Sequence, residues 1–251
     1  MSGFSTLFYK EVLRFWKVSV QTVAAPVLST LLYLLVFAQA LAGRVEVFPG
    51  VTYVEFLIPG LAMMSMLQNA FANSSSSLIQ SKVTGNIIFI LLPPLAPGEI
   101  FLAYLLAAIV RALAVGAGIF FATIWIVPVP VAHPLWALAF AVAGCGLLAV
   151  LGIVAGIWAE KFDQVAAFQN FLVMPLTFLA GVFYSVHSLP PFWQGVSHLN
   201  PFFYAVDGFR YGFFGQGDVA PWTSLAIATA AFAALSCFTL VLLKRGYKLR
   251  H

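Results

Sequence analysis

The chain has 251 residues, of which 62% are hydrophobic and 8% charged, with a net charge of +4 and a mean hydropathy of +1.00. Soluble domains run at roughly 45–50% apolar and about 25% charged residues, so this composition excludes an ordinary soluble enzyme and a nucleic-acid-binding domain. It predicts an all-α membrane protein, a single transmembrane unit whose length accommodates six or seven helices of about 20 residues.

The first element in chain order is amphipathic. On a helix, Phe4, Phe8, Val12 and Phe15 form one stripe, and Thr6, Lys10, Arg14 and Lys17 form another roughly 200° away. Such a segment over residues 1–17 lies in the inner membrane interface, basic face toward anionic headgroups and aromatic face toward acyl chains. Glu11 falls on the apolar side and calls for a basic partner. An ordinary basic flank of the first span is the simpler alternative.

Six apolar runs follow, at about 18–41, 56–79, 100–127, 135–159, 165–186 and 222–243. Ala38-Gln39-Ala40 has the small-x-small form of a signal cleavage site, but the preceding run is longer than the 7–15 or so residues of a signal h-region. An even number of spans puts both termini on one side. Nine basic residues flank the spans there (Lys10, Arg14, Lys17, Lys82, Lys161, Lys244, Arg245, Lys248 and Arg250), against Arg44 and Arg210 on the other side. The excess of positive charge marks the cytoplasmic face. Trp16 and Trp158 then belong to the inner interface, and Trp125, Trp136 and Trp222 to the outer one.

Between the second and third spans runs KVTGNIIFILLPPLAPGE, Lys82 to Glu99. Its apolar stretch, Ile87 to Leu92, is costly to leave in water at roughly 1.5–3 kcal/mol per large side chain, so either the membrane or a cytoplasmic partner covers it. Pro93-Pro94 and Pro97-Gly98 end any helix and turn the chain back.

Polar residues inside the spans are few. The second span carries Gln68, Asn69, Asn73 and Ser74 to Ser77, and the third carries Arg111 near mid-membrane. An arginine at that depth faces protein or water, not lipid. Asn69 and Asn73 are its expected partners, either as a polar wall of a substrate path or as a hydrogen-bonded link between two helices. In the fourth span Gly144, Gly152 and Gly156 share a face suited to close helix packing or dimerisation. Cys145 and Cys237 have no metal or disulfide spacing and read as small core residues.

The segment Leu189 to Arg210, LPPFWQGVSHLNPFFYAVDGFR, is too apolar for a free loop and too broken by proline to span a membrane. Backbone of this kind persists at membrane depth only where protein buries it or a wet cavity borders it. No GxxxxGK[ST] phosphate loop and no HExxH occur, the histidines lack ligand spacing, and Ser185 with His187 or His198 has no activating third group. The sequence therefore indicates neither catalytic residues, nor a metal site, nor a cofactor bound by this chain.

These features resemble the permease subunit of bacterial ABC-2 type transporters over essentially the whole chain. The most specific match is Gly181-Val182-Phe183-Tyr184, then Leu189-Pro190-Pro191, then Asn200-Pro201 followed by Tyr204, Asp207 and Arg210, which resembles the family signature ahead of the final span. Lys10-Glu11 with Arg14-Phe15 resembles the amphipathic entry helix, and Asn86 to Pro94 occupies the place of the coupling helix. The resemblance implies six spans with re-entrant helices over 188–215 and a homodimer in the inner membrane. It also implies an ATPase partner subunit that supplies ATP and Mg2+ and is contacted through Lys10, Glu11, Arg14, Lys82, Asn86, Ile87, Leu91, Leu92, Pro93 and Pro94. Export of an amphipathic, lipid-linked, glycan or drug-like substrate past an outer gate at the signature residues follows on the same ground. Relatives often carry acidic residues in the coupling segment where this chain has Ile88 and Phe89, and a proline where it has Ser185. Two rivals stand beside this reading. A secondary transporter requires ion-coupling carboxylates within the spans, whereas the acidic residues here lie outside the span cores; a scaffold or sensor subunit would transport nothing.

Overall fold

A computed structural model describes residues 3–41 and 46–248. Arg44 and Arg250, which entered the charge count, lie outside the described residues. Among the described residues, five helices are long and apolar enough to cross a membrane: α2 (Ser19–Leu41), α3 (Tyr53–Val83), α5 (Pro97–Thr123), α6 (Pro134–Trp158) and α11 (Pro221–Arg245). Before them comes α1 (Gly3–Trp16), and between α3 and α5 the short α4 (Ile87–Leu91). A small hairpin that the sequence did not announce, β1 (Glu46–Phe48) and β2 (Val51–Thr52), turns at Gly50 and leads into α3.

The expected span over 165–186 takes a different form. The chain is helical through α7 (Phe162–Phe168), a π-helical turn (Gln169–Val173) and α8 (Met174–Phe178), then leaves the helix at turns over 179–184. Seventeen helical residues cover about 26 Å at 1.5 Å per residue, short of a hydrocarbon core of about 30 Å. Two local causes are visible. Pro175 has no N–H to donate back, and the wide turn sits immediately before it. Gly181 then takes φ +73°, a left-handed conformation that glycine adopts without the usual Cβ penalty. Beyond it lie α9 (Pro191–Leu199) and α10 (Pro201–Phe214), each with proline in its first turn.

The core is built around α3. Nearly every residue from Phe56 to Leu67 is fully buried, and α3 packs on α2, α5, α6 and α10. The glycines of α6 make that packing close. A Cβ at Gly152 would meet the backbone carbonyl of Phe71 at 2.4 Å, and one at Gly156 would meet Leu78 at 2.7 Å. The small-residue face is thus spent inside the chain and is not a free dimerisation surface. Cys145 is buried, as expected of a core residue, whereas Cys237 is exposed on α11.

Termini of the long helices are capped in ways the sequence explains. Thr52 N–H donates to the Glu55 carboxylate at 2.8 Å, and Glu55 N–H returns to the Thr52 hydroxyl at 3.4 Å, a capping box opening α3. At the other end of α3, the Lys82 ammonium donates to the carbonyls of Ile157, at 2.8 Å, and of Ala159. It thereby sits at the negative end of the α6 dipole. The same end of the bundle holds α4 beside Leu243 and Lys244 of α11, and Gly3 of α1 beside Leu95. Described residues near both termini therefore lie together. At the opposite end Trp136 meets Trp222 with ring centroids 4.7 Å apart, and Ala132 and His133 donate backbone bonds to the last turn of α10.

Candidate functional site

At the basic end, α1 lies against α5 with Leu7, Glu11 and Phe15 buried. That ridge is about 55° round the helix from the expected aromatic stripe, so Phe4, Phe8 and Val12 of the stripe are only half-buried, with Phe4 and Phe8 packed against the core's margin. Within that ridge Glu11 is fully buried and held by its own helix: Lys10 Nζ is 3.2 Å and Arg14 Nε 3.3 Å from its carboxylate oxygens. The basic partners that Glu11 calls for are thus local ones.

Between α1, the end of α3 and α4 opens a cleft of about 690 Å³, bordered by Lys10, Arg14, Gln80, Asn86, Phe89 and Pro93 among others. The six apolar residues from Ile87 to Leu92, on α4 and its C-cap, are split by phase. Ile90 is buried, and Ile87 and Leu91 face the chain's own α5 and α11. Ile88, Phe89 and Leu92 project outward, with 56%, 72% and 72% of their surface exposed. Leu91, expected to anchor a partner, therefore packs on the chain itself, and Ile88 and Phe89 join Leu92 on the outward face. Asn86, Pro93 and Pro94 are exposed beside them, while Lys82 is committed to α6.

A polar ladder leads from the cleft into the bundle. Arg14 donates to the Ser76 hydroxyl at 3.2 Å, to the Asn73 carbonyl at 2.7 Å and to Asn73 Oδ1 at 2.9 Å. Arg111 of α5 reaches the same Oδ1 at 3.4 Å and Asn69 Oδ1 at 3.1 Å. The nearby Gln68 side chain donates to the Thr177 hydroxyl at 3.4 Å. Asn73 is buried, whereas Gln68, Asn69, Ser76 and Arg111 are half-buried.

At the far end the signature residues form a latch. Arg210 is 1% exposed, stacks over the Phe56 ring at 3.7 Å and donates to the carbonyls of Gly181 and Val182 at 2.9 and 3.3 Å. Asp207, equally buried, accepts the backbone N–H groups of Asp218 and Val219 at 2.7 and 3.1 Å. Asp218 in turn accepts from the Ser185 hydroxyl at 2.5 Å and from Val186 N–H at 2.7 Å. Both charges thus find backbone partners, carbonyls for Arg210 and N–H groups for Asp207. Asn200 caps α10 by accepting from Phe202 N–H and donates to the Leu176 carbonyl at 2.6 Å. Tyr204 donates to the His198 carbonyl at 2.9 Å, and Pro191 and Pro201 begin α9 and α10. Gly60 admits this closure, because a Cβ there would lie 2.7 Å from the Val182 carbonyl oxygen and 2.9 Å from Arg210 Nη2.

A family model for ABC-2 type transporters matches residues 2–214. The chain belongs to the ABC-2 type transporter family. It is 36% identical over 245 residues to the inner membrane transport permease YadH of Escherichia coli K12, an alignment covering 98% of this chain and 96% of YadH. It is also 25% identical over 207 residues to nodulation protein J of Rhizobium meliloti, covering 80% and 77% of the two chains. Like other ABC-2 permeases, it is a multi-pass inner-membrane transport component and not itself the ATPase.

Within this ABC-2 permease, sequence reasoning missed the Ser185–Asp218 bridge and the bond from the Tyr53 hydroxyl to the Phe183 carbonyl at 2.9 Å. A lone aspartate before a span and a tyrosine at a helix start carry no spacing that announces them. At the basic end, the Lys248 ammonium lies 2.7 Å from Glu160 and is raised in pKa by that hydrogen bond. The pair is exposed and screened, so it contributes little to stability.

Proposed function

We propose that this chain is the membrane half of an ATP-driven exporter, with two copies facing one another and each resting on a separate ATP-hydrolysing subunit that holds ATP and Mg2+. The observation that carries the proposal is the apolar outer face of α4, where Ile88, Phe89 and Leu92 stand exposed beside Asn86 at the basic end of the bundle. Three large apolar side chains on one short turn are the kind of anchor that dominates a protein interface. Lys10 and Arg14 of α1 border the same region, with the buried Glu11 paired to both, and the three would move with it.

Orientation follows from charge. The basic end faces the cytoplasm, and because residues near both termini lie there, the chain makes an even number of crossings. The stretch from Phe162 to Pro221 begins beside Trp158 at that end and finishes beside Trp136 at the other. It counts as the fifth of six crossings, completed by the broken helix and the two short helices α9 and α10. The latch at Arg210 then holds the outer end, where α9 and α10 border the exit. ATP-driven closure of the partners would push α1 and α4 and rock the halves between two states. The expected substrate is amphipathic, lipid-linked, glycan or drug-like.

A secondary transporter fits less well, because the buried carboxylates Glu11 and Asp207 are engaged by Lys10 and Arg14 and by backbone N–H groups. The test is purification from native membranes. An ATPase subunit is expected to co-elute with the wild-type chain and to be lost from an I88D/F89D variant that still inserts; an unchanged complex in that variant removes the docking assignment.

A further inference from the structure

Charge along the polar ladder does not balance. Arg14 and Arg111 converge on one neutral acceptor, Asn73 Oδ1, from two different helices. The single carboxylate in the cluster, Glu11, is already divided between Lys10 and Arg14. Arg111 makes no ion pair among the described residues, and its buried Nε has no hydrogen-bond acceptor among them. Asparagine oxygens orient the two guanidinium groups without neutralising either. Like charges held together among apolar helices are expensive, and the cost falls when an anion joins them.

Geometry says which anion. Guanidinium forks present paired donors that match the oxygens of a phosphate or carboxylate. Arg14 borders the cleft between α1 and α4, whose remaining walls combine hydroxyl and amide groups (Ser77, Gln80) with apolar surface (Leu7, Ile90). A polar head that enters there meets Arg14, whose acceptor Asn73 Oδ1 is shared with Arg111, while its apolar tail stays against the apolar wall or the lipid. We propose that Arg14 and Arg111 form a recognition site for the oxyanionic headgroup of an amphiphilic substrate, with Asn69 and Asn73 holding the guanidinium groups in position for it. The proposal rests on the transport reading and narrows its substrate class to anionic amphiphiles.

The experiment uses the permease, with whatever ATPase subunit accompanies it, in nanodiscs of phosphatidylcholine. Binding of dodecyl phosphate, dodecanoate, dodecanol and inorganic phosphate is followed by thermal stabilisation. Dodecyl phosphate and dodecanoate are expected to stabilise the wild-type chain; dodecanol and inorganic phosphate at the same concentrations are not, since one lacks the charge and the other the tail. Arg111→Gln is expected to weaken dodecyl phosphate binding by about tenfold or more, the effect of deleting a charge-assisted donor group. Arg111→Lys, which keeps the charge without the fork, is expected to fall between. Equal stabilisation by dodecanol and dodecyl phosphate overturns the proposal on the wild-type chain alone, whatever the variants do. Equal stabilisation by inorganic phosphate overturns its amphiphile part, and undiminished binding in a folded Arg111→Gln variant overturns the assignment to Arg111. Failure of the transport reading is seen separately, as a permease with which no ATPase co-purifies.

Discussion

Replacing Arg210 with alanine tests the latch directly. The guanidinium is fully buried, donates to two backbone carbonyls at 2.9 and 3.3 Å and lies 3.7 Å from the Phe56 centroid. A hydrogen bond from a charged donor is worth about 1.5–3 kcal/mol, and a desolvated cation–π contact about 2 kcal/mol. These contributions overlap, and burial of the charge costs part of them back, so a net loss of about 4 kcal/mol is expected. For a chain of this size each kcal/mol moves the midpoint by about 2–4 °C, which gives a fall of roughly 8–16 °C in a detergent melt. Because the latch is at the end of the bundle remote from α4, the fraction of variant that stays folded should still carry its ATPase while failing to transport. Arg210→Lys should recover part of the stability, since an ammonium can serve one of the two carbonyls. An Arg210→Ala protein melting within about 2 °C of wild type would refute the view that this side chain holds the Gly181 turn in place.

Other perturbations separate the remaining contacts. Gly152→Ala should destabilise the α3–α6 pair because its Cβ would overlap the Phe71 carbonyl at 2.4 Å, whereas Gly195→Ala, with nothing within 4 Å, should melt like wild type. Leu91→Asp should lower the yield of folded protein, since Leu91 packs on the chain's own helices, while Leu92→Asp should spare folding and weaken ATPase co-elution. Tyr53→Phe removes one bond to the Phe183 carbonyl and should cost about 1 kcal/mol in the same melt, with transport retained. Glu11→Gln should leave Lys10 and Arg14 without their shared counter-charge, which an increased stabilisation by dodecyl phosphate over wild type would report.

Long-period features were legible in the amino-acid order, and helix phase within short apolar runs was not. Composition alone implied membrane helices, and the polar residues of the second and third spans were few enough that Arg111 had only Asn69 and Asn73 to meet. In Ile87 to Leu92 every residue is apolar, so no pattern tells which side of α4 faces inward; only packing against α5 and α11 decides. The apolar run over 165–186 concealed its break for a related reason. Hydropathy reports the environment of each residue but not the backbone's path, and the path is set by Pro175 and Gly181. Asp207 and Arg210 were legible as signature residues but their partners were not, because folding supplied backbone groups, which leave no trace in residue identity.

Helix α3 has 31 residues and is buried along most of its length, which makes it a rod of about 46 Å running from the latch to the cleft. Its ends are pinned to different bodies: Gly60 and Tyr53 to the turn at Gly181–Phe183, Lys82 to the end of α6. A rod of that length amplifies angle into distance, so a tilt of 10° or so about one end would carry the other through about 8 Å. On the proposed mechanism, displacements that look small at the cleft can thus be large at the latch, provided the rod does not bend. Stiffness along α3 is then a selectable property in its own right, and a glycine or proline introduced at its middle would dissipate transmitted motion without touching either end.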